Sequence, residues 1–204
     1  MRKKSHLFIY LFAALAIGLS GCGDDGDSTN NDNGGSSASN NSGNGGDRPS
    51  DSSMGSVTLN LSGEVSASRA GFADFSEMDF GPTQTWELSM NDISPQTFSL
   101  TLMAISDTAT RPSPGEYIIG AASNDPGQFQ AVYTHIEDGD FVNAVEYTSQ
   151  RSGGGVLKIE TSTDAKVSGT FEFTADRYAE PMDATPAGTI QVTGSFEATP
   201  RQSL

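Results

Sequence analysis

Two short stretches near the end of the chain are near-copies of each other, and they restrict the fold more than any other feature. One reads Val167-Ser168-Gly169-Thr170-Phe171-Glu172, the other Val192-Thr193-Gly194-Ser195-Phe196-Glu197. In both, apolar and polar residues alternate, which is the period of a half-buried β-strand. Val167, Gly169, Phe171, Phe173 and Ala175 fall on one face, with Ser168, Thr170, Glu172 and Thr174 on the other. Ile190, Val192, Gly194, Phe196 and Ala198 repeat the inward set. Glycine inside a strand marks a bulge or a close approach. Gly169 and Gly194 hold matching positions. If the copies pair, their bare surfaces are expected to receive a large side chain from across the core.

The same alternation recurs upstream. Val57, Leu59 and Leu61 interleave with polar residues, as do Trp86, Leu88 and Met90, and Phe98, Leu100, Leu102 and Ala104. Further short runs cover residues 115–120, 128–136, 141–148 and 156–160. Turn chemistry separates them: Arg111-Pro112-Ser113-Pro114, Asn124-Asp125-Pro126-Gly127 and Gly153-Gly154-Gly155. Between residues 128–136 and 141–148 stands Asp138-Gly139, a pair that tolerates the positive φ angles of a tight hairpin. No long helical period appears. The pattern predicts an all-β domain, an antiparallel sandwich or barrel of about nine or ten short strands. One-sided alternation excludes a parallel α/β sheet, whose strands are apolar on both faces. The polar outer faces also argue against a transmembrane barrel, which needs a lipid-facing apolar band.

The first 55 residues are different material. Arg2, Lys3 and Lys4 precede an apolar run over residues 7–19. A permanent membrane span needs about 20 residues, so this shorter run reads as a signal-peptide core. The stretch Leu19-Ser20-Gly21-Cys22 follows and holds the one cysteine of the chain. Residues 23–55 are mostly Asp, Asn, Ser and Gly. Such a segment cannot bury enough apolar surface to offset its conformational entropy. As a coil it spans roughly 30 Å, a tether's reach. The expected organisation is a leader over residues 1–21, a tether over 22–55 and the β domain over 56–204. The tether carries Asp24, Asp25, Asp27 and Asp32 but no Asp-x-Asx-x-Asx-Gly loop with a closing Glu, so no calcium site is expected.

Leu19-Ser20-Gly21-Cys22, placed behind that leader, closely resembles the lipobox of bacterial lipoproteins. The resemblance implies cleavage between Gly21 and Cys22, thioether lipidation of Cys22 and acylation of its new amino group. Gly23, rather than Asp, follows the cysteine, which by the sorting rule of such lipoproteins favours the outer over the inner membrane. The final strand pair also looks like that of a broad set of uncharacterised bacterial envelope lipoproteins. That likeness implies a shared fold and carries no activity. Lipocalins, which also have lipid-anchored members, carry an early Gly-x-Trp; here Trp86 follows Gln84-Thr85.

Charge and chemistry exclude more than they assign. The formal net charge is -15, and loss of the leader makes it more negative. Nucleic acid binding wants a basic surface, so no nucleic acid partner is expected. Beyond the leader one histidine remains, His135, in an expected strand. No Gly-x-Ser-x-Gly elbow, phosphate loop or dinucleotide fingerprint is present, and one histidine is too few for the usual zinc site. No metal, cofactor or catalytic residue is assigned. Glu116, Glu137, Glu146, Glu160 and Glu172 are acids that a two-carboxylate hydrolase could draw on.

Two segments are expected to be loops with a binding role. Residues 71–83 cluster Phe72, Phe75, Met78 and Phe80, as an apolar lip or a plug over the core. Asp74 and Glu77 there have the spacing of a capping box, which allows a single helical turn. Residues 175–187 join the two copied strands and carry Arg177, Tyr178 and Met182; long loops on rigid strands often bind partners. The functional expectation is a lipid-anchored, non-enzymatic module that binds an envelope protein or glycan. A carrier of an apolar small molecule and a glycan-acting hydrolase remain open as alternatives.

Overall fold

The computed structural model describes residues 54–93, 95–151, 153–179 and 185–201. The leader, Gly21, Cys22 and nearly all of the tether lie outside the described residues. So does Met182. The described residues contain no helix and ten strands: β1 Ser56–Gly63, β2 Ala67–Asp79, β3 Gln84–Asn91, β4 Phe98–Ser106, β5 Gly115–Ile119, β6 Gln128–His135, β7 Val145–Thr148, β8 Gly154–Ser162, β9 Val167–Arg177 and β10 Thr189–Pro200. The chain is all-β, as the alternation requires.

All ten strands belong to one sheet whose pairings return on themselves. From β1 the ladder runs through β2, β3 and β4 to β6, and in the other direction through β10 to β9. Two bridges close the gap between β6 and β9. One is the pair β5–β8, the other is the short β7. Ser149 joins the bridges. Its hydroxyl accepts from Ala131 N at 2.9 Å and donates to the Gly120 carbonyl at 2.8 Å. Most pairs are antiparallel. The two parallel ones are short, Ile118↔Gln128 with Ile119↔Phe129, and Thr199↔Asp74 with Pro200↔Phe75.

The inward sets read from the sequence form the core. Trp86, Leu88, Met90, Phe98, Leu100, Leu102, Val167, Phe171, Phe173, Ile190, Val192 and Phe196 are all buried. Aromatic rings fill the interior in contact: Phe75 with Trp86 at 6.1 Å, Trp86 with Phe129 at 5.9 Å, Tyr117 with Phe129 at 5.6 Å, Phe98 with Tyr133 at 6.4 Å and Tyr133 with Tyr147 at 6.3 Å. Each such ring removes a large apolar area from water and gains from offset or edge-on geometry.

The two copied motifs pair with each other, β9 against β10, in a register that sets each glycine opposite a phenylalanine. Gly169 faces Phe196 and Phe171 faces Gly194. A Cβ at Gly194 would sit 2.5 Å from Phe171 Cζ, so this glycine does make room for a large ring. The ring comes from the neighbouring strand rather than from across the core. At Gly169 a Cβ would run into the Lys158 carbonyl of β8, so backbone rather than a ring takes that space. Phe171 and Phe196 stack at 6.3 Å over the bare positions.

Two expectations about loops are corrected. Residues 71–83 are neither a lip nor a helical turn. They are the second half of β2 and a tight turn, with Phe80 N donating to the Thr83 carbonyl at 2.8 Å. Phe75 is core, Phe72 and Met78 lie half-buried on the opposite face, and Phe80 is exposed at the turn. The strand was obscured because its inward positions include Arg69, Gly71 and Glu77 while Phe72 and Met78 point outward. Arg177 belongs to the end of β9, so the β9–β10 connection begins at Tyr178. The Asp138-Gly139 turn is present with both residues at positive φ, 50° and 77°. It caps a loop over 136–144, because the expected strand from 141 starts only at Val145.

Candidate functional site

Register places four connections at one end of the sheet. Phe98↔His135 brings the β3–β4 loop (92–97) beside the β6–β7 loop (136–144). Tyr147↔Arg177 and Gly63↔Ile190 bring the β9–β10 and β1–β2 connections to the same end. Hydrogen bonds tie the loops together: Ile136 N to the Thr97 carbonyl at 3.0 Å, and Tyr178 N to the Glu146 carbonyl at 2.7 Å. The chain enters β1 at the opposite end, where the β2–β3 and β8–β9 turns are short.

The loop end carries apolar side chains that water reaches. Phe141 is 62% exposed, Val142 is 92% exposed, and Ile93 and Tyr178 are exposed on the neighbouring loops. Asp140 holds the 141–143 segment in shape. Its carboxylate accepts from Val142 N at 3.0 Å and from Asn143 Nδ2 at 2.7 Å. The Asn143 side chain and the backbone N–H groups hold the Asp140 carboxyl below its ordinary range.

Inside this end, polar residues stand at inward positions among apolar ones such as Leu61, Phe98 and Ile190. Arg69 of β2 lies beside Leu59 in the register, Tyr133 and His135 are successive inward positions of β6, Tyr147 comes from β7 and Arg177 from β9. Glu64 ion-pairs with Arg177 at 2.8 Å. Burial pushes both phenols up to about 12, with the Glu64 carboxylate adding to the effect at Tyr147. At Tyr133 the neighbouring Arg69 guanidinium pulls the other way and loses to burial. Both hydroxyls therefore stay protonated at neutral pH and can donate hydrogen bonds.

Asp92 is consumed locally. Its carboxylate accepts from Thr97 N at 2.7 Å, Phe98 N at 3.1 Å and Thr97 Oγ1 at 2.5 Å, fixing the start of β4. Arg69 Nε, Tyr133 Oη and His135 Nδ1 are buried with no hydrogen bond of ordinary geometry. Leaving such groups unmade is costly, about 1–3 kcal/mol each.

Of the residues expected to form a site, Arg177 and Tyr178 stand at this end, while Phe72, Phe75, Met78 and Phe80 belong to β2 and the β2–β3 turn. The sequence reading assigned no site role to Arg69, Tyr133 or Phe141. The signal that would have found Arg69 is its parity: it shares the inward face of β2 with Ala73 and Phe75. Glu116, Glu137, Glu160 and Glu172 are exposed, and burial raises the Glu146 carboxyl above its ordinary range. No cluster of three His, Cys, Asp or Glu able to hold a metal ion occurs among the described residues. No family model matches the chain, and neither a curated protein nor a solved structure matches it.

Proposed function

We propose that the chain is a lipid-anchored module of the bacterial cell envelope, more consistent with the outer than the inner membrane, that binds an envelope protein or glycan through the loop end of its β domain. One observation carries the reading: the interior is filled by packed aromatic and aliphatic side chains, while Ile93, Phe141, Val142 and Tyr178 stand exposed on adjoining loops at one end. Isolated surface apolar residues need no explanation, but a group of them on loops held by hydrogen bonds is what an interaction surface uses. The chain enters the domain at the end opposite these loops. A small-molecule carrier would need interior space that Trp86, Phe98, Phe129, Tyr133 and Phe173 occupy. Glu64 and Asp92, two acids that a two-carboxylate hydrolase could draw on at this end, are engaged with other groups.

Photo-crosslinking in cells tests the binding end. A photoreactive residue at Val142 is expected to trap a discrete partner that the same residue at Glu77 does not. Equal trapping at both positions overturns the reading. Replacing Cys22→Ser is expected to release the chain into the soluble fraction and abolish acyl labelling; unchanged membrane association overturns the anchor.

A further inference from the structure

The arginines show how this chain normally treats a cation. Arg111 reaches Asp164 at 2.6 Å, Arg177 reaches Glu64 at 2.8 Å, and Arg201 reaches Asp74 at 2.7 Å and Glu87 at 2.8 Å. Arg69 reaches no carboxylate among the described residues, in a chain with 26 acidic residues. It also points inward. Two of the acids at its end are already engaged, Glu64 with Arg177 and Asp92 with the β3–β4 turn. Next to Arg69 stands the hydroxyl of Tyr133, a residue 0% exposed. No hydrogen bond of ordinary geometry reaches that hydroxyl, whose polar neighbour is the Arg69 guanidinium itself, or His135 Nδ1 at the next inward position. A half-buried guanidinium without an acid, at the same end as two buried polar atoms that make no hydrogen bond of ordinary geometry, is an arrangement that a packed structural core disfavours.

We propose that the inner rim of the loop end binds one oxyanion, a carboxylate or phosphate group of the partner, on the Arg69 guanidinium, with Tyr133 Oη–H and His135 Nδ1 completing its hydrogen bonds. The planar guanidinium offers paired N–H donors that match either oxyanion. The exposed apolar residues around the rim would hold the rest of the ligand, so the inference rests on the reading of this end as the binding surface. The recognised chemistry is then an anionic group flanked by apolar surface.

The test is an NMR titration of the full chain in detergent, following the arginine Nε–Hε signals. Inorganic phosphate and acetate are added separately at constant ionic strength. A saturable shift at Arg69 is expected, with Arg111 and Arg201 stationary. Tyr133→Phe keeps the ring and is expected to weaken binding roughly tenfold, the loss of one hydrogen bond to a charged group. Arg69→Gln is expected to abolish the rise in thermal midpoint that phosphate produces. A stationary Arg69 signal, or one that drifts linearly with those of Arg111 and Arg201, overturns the proposal. So does unchanged affinity in Tyr133→Phe. A response to phosphate alone or acetate alone supports it and names the anion. Crosslinking at Val142 is scored independently. Crosslinks without oxyanion binding break this inference alone, and oxyanion binding without crosslinks breaks the partner reading alone.

Discussion

The two ends of the sheet are built by the same alternation and finished differently. At the end where the chain enters, the β2–β3 and β8–β9 turns are short, and a cluster of rings fills the interior: Phe75, Trp86, Phe129 and Tyr117 pack against one another. Outside them, Arg201 clamps the end of β10 to β2 and β3 through Asp74 and Glu87. The buried polar atoms without partners there, Trp86 Nε1 and Ser76 Oγ, are neutral. At the loop end the inward positions turn polar, two phenols are held protonated, and an arginine is left without an acid. One end is filled by stacked rings; at the other, polar side chains are built into the packed interior. Stability should therefore be concentrated at the first end and binding at the second.

Substitutions can break that contrast, and the largest effect is expected at the packed end. Trp86→Ala leaves a cavity among Phe75 and Phe129 and is expected to cost about 3–5 kcal/mol by urea unfolding. A cost below about 1 kcal/mol would mean this end is not where stability resides. Gly194→Val follows, because its side chain would meet the Phe171 ring. Overpacking of this kind costs about 1–3 kcal/mol, and Phe171→Leu in the same chain should recover part of it.

A pH titration sharpens the contrast at the loop end. The phenols of Tyr133 and Tyr147 are raised in the folded chain from 10.0 to about 12. Their contribution is complete below pH 10, the unfolded value, because both states are then protonated. As pH rises toward 12 the unfolded chain ionises first, and stability falls. Unfolding midpoints should drop over pH 10–12, and the drop should shrink in Tyr133→Phe and Tyr147→Phe. An identical alkaline arm in both variants would remove these phenols as its cause.

The smallest effects on stability are expected where binding is placed. Arg69→Met exchanges a half-buried charge without a carboxylate partner for an apolar chain and should leave stability unchanged or slightly higher, within about 1 kcal/mol. Phe141→Ser with Val142→Ser should change it by no more than about 0.5 kcal/mol, as exposed substitutions do, while abolishing the Val142-end crosslink partner when probed from Tyr178. A large loss of stability in either case would make the loop end structural.

Strands with clean alternation were legible from residues alone. β3, β4, β9 and β10 bury the residues their period assigns to the core. β2 was not legible, because Arg69, Gly71 and Glu77 interrupt its inward face, and an interrupted period looks like a loop. The same interruption hid the site: the arginine that spoils the pattern is the one that ends up inside, unpaired. The β6–β7 loop was read only in part. Asp138-Gly139 dictates a turn by its positive φ angles, but nothing local says that Phe141 and Val142 stay out of the ladder.

Composition and local period thus determined an all-β domain and most of its core residues, because burial of alternate side chains is a property of each strand by itself. The return of the sheet on itself, the split bridge stitched by Ser149 and the meeting of Arg69, Tyr133 and His135 at one end were decided only in the tertiary structure. Those features depend on which strands pair and in what register, and register is fixed by contacts between residues far apart in the chain.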